Sequence, residues 1–213
     1  MYFLPNAIDR YVELHSEDEP QLLQELNRET HLKVLQPRML SGGYQGRVLS
    51  MISKLVHPKS ILEIGTYTGY SALCLAEGLQ PNGELHTIDI NEELFDFQRK
   101  YFDKSIYGKQ IFQHIGNALE IIPTLDTSFD LVFVDADKEN YVNYFHLIVD
   151  RLPSGAVILS DNVLWSGKVV QKVVGDDIST KVLLKYNQLL KEDSRVETVI
   201  LPIRDGLTIT RKK

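Results

Sequence analysis

The chain has 213 residues, of which 43% are hydrophobic and 24% charged, with a formal net charge of −6 at neutral pH. This composition is typical of a soluble globular protein, and the length favours one large domain over two small ones. The negative balance argues against a nucleic-acid partner, and the single cysteine, Cys74, excludes both an internal disulfide and a thiolate metal cluster within the chain.

Residues 1–57 are predicted to form a helical amino-terminal extension. The stretch 1–6 has no positively charged segment before a long apolar run, so it is unlike a secretory signal. No stretch approaches the ~18 apolar residues of a membrane span, and we therefore expect a cytoplasmic protein without a membrane partner. Apolar residues recur at helical spacing around 14–26 and 48–56. Between them Pro37 and paired glycines predict a break at residues 36–43.

From residue 58 onward the pattern alternates strand and helix, which predicts the catalytic core. Strands are predicted at 60–64, 84–90, 110–115, 129–134 and 155–160, and helices at 70–79, up to 101, and around 180–190. Two last strands, 196–201 and 206–210, flank a tight Asp205-Gly206 turn and are therefore antiparallel. Repeated βα units predict an α/β, doubly wound, mostly parallel sheet with one antiparallel strand, all in a single domain spanning 1–213.

The segment ILEIGTYTGYS, residues 61–71, is a candidate cofactor loop. Ligands in such sheets bind beyond the carboxyl ends of the strands, and Gly65 and Gly69 leave room for a ligand to approach the backbone. A dinucleotide site needs G-x-G-x-x-G, whereas the spacing here is G-x-x-x-G, preceded by Glu63. A carboxylate at this position repels phosphate and suits a ligand with an ammonium group, which argues against NAD.

Asp89 ends the second predicted strand, 20 residues after Gly69. From this position a carboxylate reaches ribose hydroxyls in nucleotide-binding α/β folds. The plainer alternative is that Gly69 only permits a turn and Asp89 only caps the helix that begins near Asn91. The glycines and the carboxylate together favour a nucleotide-like cofactor.

Oxygen-bearing side chains also follow the fourth and fifth strands. Asp135 and Asp161 are 26 residues apart, about one βαβ crossover, so we expect them side by side at one edge of the sheet. With the Asn162 amide they form an all-oxygen set that suits Mg²⁺ or Ca²⁺. The six histidines are scattered, which argues against zinc. The alternative is that the three residues are helix caps and turn formers.

Lys138 follows Asp135 by three positions and is a candidate general base. A nearby metal lowers the pKa of an ammonium group and of a bound hydroxyl, which favours proton transfer at this place. The alternative for Lys138 is a solvated residue at the start of a helix.

In combination these motifs resemble the metal-dependent O-methyltransferases of the catechol and caffeoyl-CoA type. The resemblance covers nearly the whole chain and is carried by MLSGGYQG, ILEIGTYTGYS, IDIN, GNALEIIP, DLVFVDADKENY, LSDNVLWSGKV and LPIRDGLTIT. It implies a seven-stranded class I methyltransferase fold of the Rossmann-like type and a homodimer. It also implies S-adenosylmethionine as methyl donor and a divalent metal, Mg²⁺ or another cation such as Ca²⁺ or Mn²⁺.

The resemblance also assigns site residues by matched position. Asp135, Asp161 and Asn162 are expected to hold the metal, with Lys138 as the base beside Asp135. The S-adenosylmethionine pocket is expected to be lined by Glu63, Gly65, Tyr67, Ser71, Asp89, Ala118 and Asp135, and closed by Met39 and Ser41.

Two positions depart from the catechol enzymes of this family. Those enzymes carry an aromatic residue just before the base, where this chain has Asp137. They also carry a substrate-contacting glutamate six residues before the closing Asp-Gly, where this chain has Val199. The departures argue against a mammalian-type catechol clamp and leave Trp165 as either a wall of the acceptor pocket or an anchor of its own loop.

Three functions follow as hypotheses. The first is methylation of a small phenolic acceptor with adjacent hydroxyls, which a metal positions and ionises. The second is methylation of a hydroxylated wobble uridine in tRNA, as bacterial relatives with this core do, helped by basic residues expected near the pocket mouth, namely Arg38, Arg47 and Lys168. The third is a cofactor-binding module without catalysis, against which the metal set and Lys138 argue. The negative charge favours the first.

Overall fold

The computed structural model describes residues 5–213, so residues 1–4 of the stretch compared above with a secretory signal lie outside the described residues. Three helices precede the sheet: α1 (Asn6–Leu14), α2 (Gln21–Lys33) and α3 (Gly43–Val56). A short 3₁₀ helix, Pro37–Met39, occupies the predicted break. Among the described helices, none combines the length and the apolar character that crossing a membrane requires.

Seven strands form one sheet in the order β3-β2-β1-β4-β5-β7-β6. They are β1 (Ser60–Ile64), β2 (Glu84–Asp89), β3 (Ile111–Ile115), β4 (Leu131–Val134), β5 (Val157–Asp161), β6 (Val196–Leu201) and β7 (Leu207–Lys212). Neighbouring strands from β1 to β5 are parallel, whereas β7 runs antiparallel to both β5 and β6. The predicted mostly parallel sheet with one antiparallel strand is confirmed.

Helices cover both faces of the sheet, as a parallel sheet requires. They are α4 (Tyr70–Ala76), α5 (Phe95–Lys104), α6 (Ala118–Ile121), α7 (Tyr141–Ile148) and α8 (Ile178–Glu192). Successive residues of β1 point to opposite faces: Ile61 packs in an apolar cluster with Leu26 and Phe102, and Leu62 in a second cluster with Phe145. The amino-terminal extension therefore shares its core with the first face of the sheet through α2 and α3.

The connection between the last two strands is longer than the predicted tight turn. It spans residues 202–206, since Pro202 has no amide proton for the strand ladder and Arg204 has a positive φ of 49°. The carbonyls of Asp205 and Gly206 accept hydrogen bonds from the amides of Leu164 and Val163 at 2.9 and 3.2 Å. The loop is thus fastened to the segment that leaves β5.

Candidate active site

A cavity of about 1470 Å³ opens beyond the carboxyl ends of the central strands. It lies at the switch point between β1 and β4, where ligands of doubly wound sheets bind. Pockets for one drug-sized ligand have about 300–1,000 Å³, so this cavity has room for a cofactor and an acceptor together. The cavity wall includes nearly all the sequence-predicted site residues: Met39, Ser41, Gly65, Tyr67, Ser71, Asp89, Ala118, Asp135, Lys138, Asp161 and Asn162.

The two glycines of the cofactor loop are required by packing inside the protein. Gly65 has a φ of 101°, and a Cβ there would lie 2.2 Å from the carbonyl oxygen of Asp135. Gly69 has a φ of 86°, and a Cβ there would lie 2.6 Å from the ring of Phe102. Glycine at position 65 lets the exits of β1 and β4 approach each other, which brings Asp135 to the cofactor loop, and glycine at position 69 lets the loop pack on Phe102 of α5.

Glu63 does not line the cavity as expected but lies behind its wall with no exposed area. Thr87 Oγ1 donates to Glu63 Oε2 at 2.5 Å, while Oε1 has no hydrogen-bond partner among the described residues. Burial raises the pKa of Glu63 to about 8, although hydrogen bonds from Ser71 and Thr87 oppose the shift. The carboxyl group therefore lies beneath the loop, with one oxygen free to accept a further hydrogen bond.

Asp89 supports the cofactor loop from the end of β2. Its Oδ2 accepts the backbone N–H of Tyr67 at 2.7 Å, and its Oδ1 accepts that of Asn91 at 2.8 Å. The cap of the following short helix is Asn91, whose side chain accepts the N–H of Glu93 at 3.0 Å. Asp89 is thus not that cap, and each of its oxygens retains acceptor capacity toward the cavity.

The segment between α2 and α3 covers the cofactor loop. The hydroxyl of Tyr67 lies 3.0 Å from the carbonyl oxygen of Leu35 and 3.2 Å from that of Gln36. Beyond this tie, Met39 and Ser41 of the same segment line the cavity. Their expected closing position is therefore compatible with the geometry. Tyr67 was expected to line the cofactor pocket, but the sequence carried no signal that its hydroxyl would hold this segment.

The carboxylates of Asp135 and Asp161 face the same cavity from adjacent parallel strands. Asp161 is buried, with 3% exposure, and its pKa is raised by burial and by the nearby Asp135. Asn162 follows with a positive φ of 58° and also lines the cavity. Within residues 5–213 no group of three His, Cys, Asp or Glu side chains could hold a metal ion. The expected metal ligands are of a different kind, since they are two carboxylates and one amide.

Lys138 is buried and is not the solvated helix-start residue of the alternative interpretation. Its Nζ donates to Asp135 Oδ1 at 3.1 Å, to the carbonyl of Ala136 at 3.0 Å and to the Tyr141 hydroxyl at 2.7 Å. These acceptors match the three protons of an ammonium group. Trp165 lines the cavity beside it, with its ring centre 6.0 Å from Nζ.

Sequence reasoning missed two polar residues that reach this site from other elements. Gln45, on α3, has 1% exposure, and its Nε2 donates to Asp161 Oδ2 at 2.7 Å. Arg204, in the loop before β7, donates through Nη1 to Gln45 Oε1 at 3.2 Å. Gln45 lies in MLSGGYQG and Arg204 in LPIRDGLTIT, but neither residue was assigned a role, and their partners are more than 100 positions away.

Of the basic residues expected at the pocket mouth, only Arg38 lines the cavity. Arg47 lies between α3 and α4 in an ion pair with Glu77 at 2.7 Å, with 10% of its side chain exposed. Lys168 pairs with Asp177 at 2.8 Å. Two of the three expected residues are thus paired with carboxylates, while Lys33 and Arg204, which were not expected there, line the cavity.

Residues 13–213 match the family model described as O-methyltransferase. A caffeoyl-CoA O-methyltransferase from Petroselinum crispum is 35% identical over 208 aligned residues, covering 91% of this chain and 85% of the relative. One from Arabidopsis thaliana is 34% identical, with 91% and 79% covered.

Solved structures with bound cofactor share the fold. The SAH-bound methyltransferase PaMTH1 of Podospora anserina superimposes with a TM-score of 0.88 at 30% identity, covering 100% of this chain and 99% of that one. The O-methyltransferase TomG of Streptomyces achromogenes, in complex with SAM, has a TM-score of 0.88 at 28% identity, with 97% and 96% covered. The cofactors named in these structures are S-adenosylmethionine and S-adenosylhomocysteine.

Proposed function

Because this chain belongs to the O-methyltransferase family, we propose that it methylates one hydroxyl of a small phenolic molecule that carries two adjacent hydroxyls. S-adenosylmethionine is the methyl donor, as the cofactor-bound structural neighbours support. The observation that carries the proposal is that one cavity is lined both by the cofactor loop and by Asp135, Asp161 and Asn162. The name of the plant relatives supports an acceptor with a catechol ring, since a caffeoyl group contains one.

The donor set fits a hard divalent cation such as Mg²⁺, Ca²⁺ or Mn²⁺. Two carboxylates and an amide oxygen are ligands that such cations prefer. Asp161 is a desolvated carboxylate repelled by Asp135, and a cation between them would offset that repulsion. Asp135, Asp161 and Asn162 would hold the cation, which would supply Lewis-acid stabilisation of an ionised hydroxyl.

The residues around this set would prepare the acceptor oxygen for attack. In the transfer, a new carbon–oxygen bond forms while the carbon–sulfur bond breaks, its electron pair stays on sulfur, and the hydroxyl proton must leave. Lys138 Nζ, held between Asp135 and Tyr141, is the candidate acceptor of that proton, provided that one of its own protons leaves first. If it stays charged, it orients the hydroxyl through a hydrogen bond. The adjacent Trp165 ring is a candidate wall for the aromatic acceptor.

The tRNA alternative has less support from the charges around the cavity. Of the three basic residues on which it depended, Arg47 and Lys168 are paired with carboxylates and only Arg38 lines the cavity. The net charge of −6 opposes binding to a phosphate backbone. We therefore favour the small acceptor.

Both acceptors can be tested in one assay. The protein is incubated with methyl-labelled S-adenosylmethionine and Mg²⁺, together with either a panel of catechols or tRNA that lacks the wobble methyl group. We expect label in a catechol, and no label when EDTA is present. Label only in tRNA would replace the proposed acceptor, and full labelling in EDTA would remove the metal.

The homodimer and the cytoplasmic location implied above stay predictions. Light scattering coupled to size-exclusion chromatography tests the first, and fractionation of cells that express the tagged protein tests the second.

A further inference from the structure

The amide of Gln45 is held in one orientation between the guanidinium group of Arg204 and the carboxylate of Asp161. Its Oε1 accepts from Arg204 Nη1 at 3.2 Å, and its Nε2 donates to Asp161 Oδ2 at 2.7 Å. The flipped amide would set an oxygen against the carboxylate and an NH₂ group against the guanidinium, so both contacts would be lost. Arg204 and Asp161 therefore favour the same orientation of the Gln45 amide, with Nε2 toward Asp161.

Arg204 is itself held in place by the backbone around it. The same Nη1 also faces the carbonyls of Leu40, at 2.9 Å, and Ser41, so its two protons are shared among three acceptors. Arg204 has a φ of 49°, a conformation that costs free energy for a residue with a Cβ and persists only where the surroundings enforce it. Its neighbour Asp205 accepts the amide of Ser166 through Oδ1 at 2.5 Å, which fixes the loop to the segment leaving β5.

The carboxylate of Asp161 is consequently oriented from two sides. Gln45 donates to Oδ2, and the backbone N–H of Asn162 donates to Oδ1 at 2.8 Å. Carboxylates that bind metals are typically hydrogen-bonded in this way, and loss of such a partner typically lowers metal affinity by about 10–100-fold. Gln45 has 1% exposure, so water cannot readily replace its amide.

We infer that Gln45 is a positioning residue for the Asp161 carboxylate and that Arg204 acts on this carboxylate through the Gln45 amide. The inference rests on the proposed divalent cation at Asp135, Asp161 and Asn162. Gln45 touches neither the acceptor nor the cation in this role; it sets the plane in which the Asp161 oxygens are presented. Arg204 also donates to the carbonyls of Leu40 and Ser41. One guanidinium group therefore contacts both the segment that covers the cavity and the amide that orients Asp161.

The first test measures Mn²⁺ affinity of the intact protein by electron paramagnetic resonance, without acceptor. Gln45→Met keeps the length of the side chain and removes both hydrogen bonds, and we expect affinity about 10–100-fold below the wild type. The matched control is Gln110→Met, because Gln110 Nε2 donates to the carbonyls of Gln80 and Gly83, away from the cavity. The control should lose comparable thermal stability and keep its Mn²⁺ affinity. Equal affinities in the Gln45 variant and the wild type would overturn the inference.

The second test uses Arg204→Met, at an exposed position in the loop before β7. Removing a positive charge near a cation site would by itself raise Mn²⁺ affinity. Loss of the hydrogen bond from Arg204 to the Gln45 amide should instead lower it. We expect Arg204→Met to lower Mn²⁺ affinity when Gln45 is present and not to lower it when Gln45 has already been replaced by methionine. The effects of two coupled residues are not additive. A rise in Mn²⁺ affinity in the wild-type background would overturn the role of Arg204 even if Gln45→Met does not fold. Where Gln45→Met folds, the same change in both backgrounds would overturn it as well.

The two tests also separate this inference from the proposed function. A wild-type protein that binds no Mn²⁺ would contradict the proposed metal itself and remove the basis of the inference. Mn²⁺ binding by the wild type with unchanged affinity in both variants would leave the metal in place and contradict only the positioning role.

Discussion

The hydroxyl of Tyr67 lies 3.0 Å from the carbonyl oxygen of Leu35 and so fastens the segment between α2 and α3 over the cofactor loop. Tyr67 has a positive φ of 49°, and its backbone N–H is held by Asp89 at 2.7 Å. Loop and cover are thus joined through one side chain. Cofactor affinity should depend on this hydrogen bond, even though its donor and its acceptor both belong to the protein.

Tyr67→Phe should weaken binding of S-adenosylhomocysteine by about 2–10-fold, since one hydrogen bond contributes about 0.5–1.5 kcal/mol. Titration calorimetry measures the change. Tyr11→Phe is the control, because Tyr11 is 62% exposed on α1 and does not line the cavity. Identical affinities for Tyr67→Phe and the wild type would mean that the cover closes without this bond.

Asp89→Ala should weaken the cofactor more strongly than Tyr67→Phe. The change removes the expected acceptor for ribose hydroxyls, and a hydrogen bond to a charged acceptor contributes about 1.5–3 kcal/mol. It also removes the partner of the Tyr67 backbone N–H. We expect a loss of roughly 10–100-fold in affinity by calorimetry. The control Asp103→Ala removes a 67% exposed carboxylate that pairs with Arg99, and affinity there should stay unchanged. A loss in both variants would indicate a general effect of charge.

The elements of this fold were predictable because their signals are local. β1 and β6 begin and end at the predicted residues, since uninterrupted apolar or alternating runs bounded by turn residues specify strands directly. That Asp135, Asp161 and Asn162 would lie together was predictable because the carboxyl ends of neighbouring parallel strands meet at one edge of the sheet. Their expected role as metal ligands stays a prediction.

Contacts between distant elements were not predictable. Gln45 is one polar residue in a helix, and only the tertiary fold brings it to Asp161, 116 positions away. Glu63 was placed at the right strand end, but whether its side chain would face the cavity or the interior depends on packing that no local pattern encodes. Gly65 was predicted to leave room for a ligand to approach the backbone. In the structure, the atoms that a Cβ at this position would meet belong to the backbone of Asp135.

Glu77 should make stability depend on acid pH. Burial alone would raise its pKa, but hydrogen bonds from Arg47, Lys54 and Ser50 outweigh burial and lower the pKa from 4.5 to about 2. A lowered folded-state pKa stabilises the fold above the unfolded value and loses that contribution as pH falls toward the folded value. The free energy of unfolding attributable to Glu77 should therefore decline between pH 4.5 and 2.

The measurement compares urea unfolding of the wild type and Glu77→Gln from pH 7 to pH 2. We expect the variant to be less stable by about 1–2 kcal/mol at pH 7, after discounting for partial exposure, and the gap to shrink as pH falls below about 5. Glu197→Gln, whose carboxylate is 59% exposed beside Arg211, should show almost no gap at any pH. A gap that stays constant down to pH 2 would contradict the assignment.

Asp161→Ala should abolish methyl transfer while leaving the cofactor site intact. We expect turnover at least about 100-fold lower, because Lewis-acid stabilisation contributes several kcal/mol, and S-adenosylhomocysteine affinity within about 3-fold of the wild type. Asp193→Ala, which removes a partner of Arg195 away from the cavity, is the control for loss of a paired carboxylate. Turnover that survives in Asp161→Ala would exclude Asp161 from the mechanism.

Lys138→Ala distinguishes a base from an orienting group. The Nζ donates to Asp135, Ala136 and Tyr141, an arrangement suited to a charged lysine that orients the acceptor, whereas a base must first lose one of these protons. If Lys138 is the base, kcat should fall about 10²–10⁴-fold with little change in KM, and the deficit should shrink at high pH, where the acceptor hydroxyl ionises without help. If it orients the acceptor, the loss should appear mainly in KM and persist at high pH.

We expect the first pattern, because a neutral hydroxyl is a poor nucleophile and a cation bound by Asp135 would repel the Lys138 ammonium group and compete with it for that carboxylate, which favours release of a proton from Nζ. The measurement is a pH–rate profile of Lys138→Ala and the wild type with a catechol acceptor, recording kcat and KM separately. Lys181→Ala is the control, since Lys181 lies on α8, is 53% exposed and does not line the cavity. A Lys138→Ala profile parallel to the wild type with kcat intact would remove Lys138 from proton transfer and leave ionisation of the hydroxyl to the metal set alone.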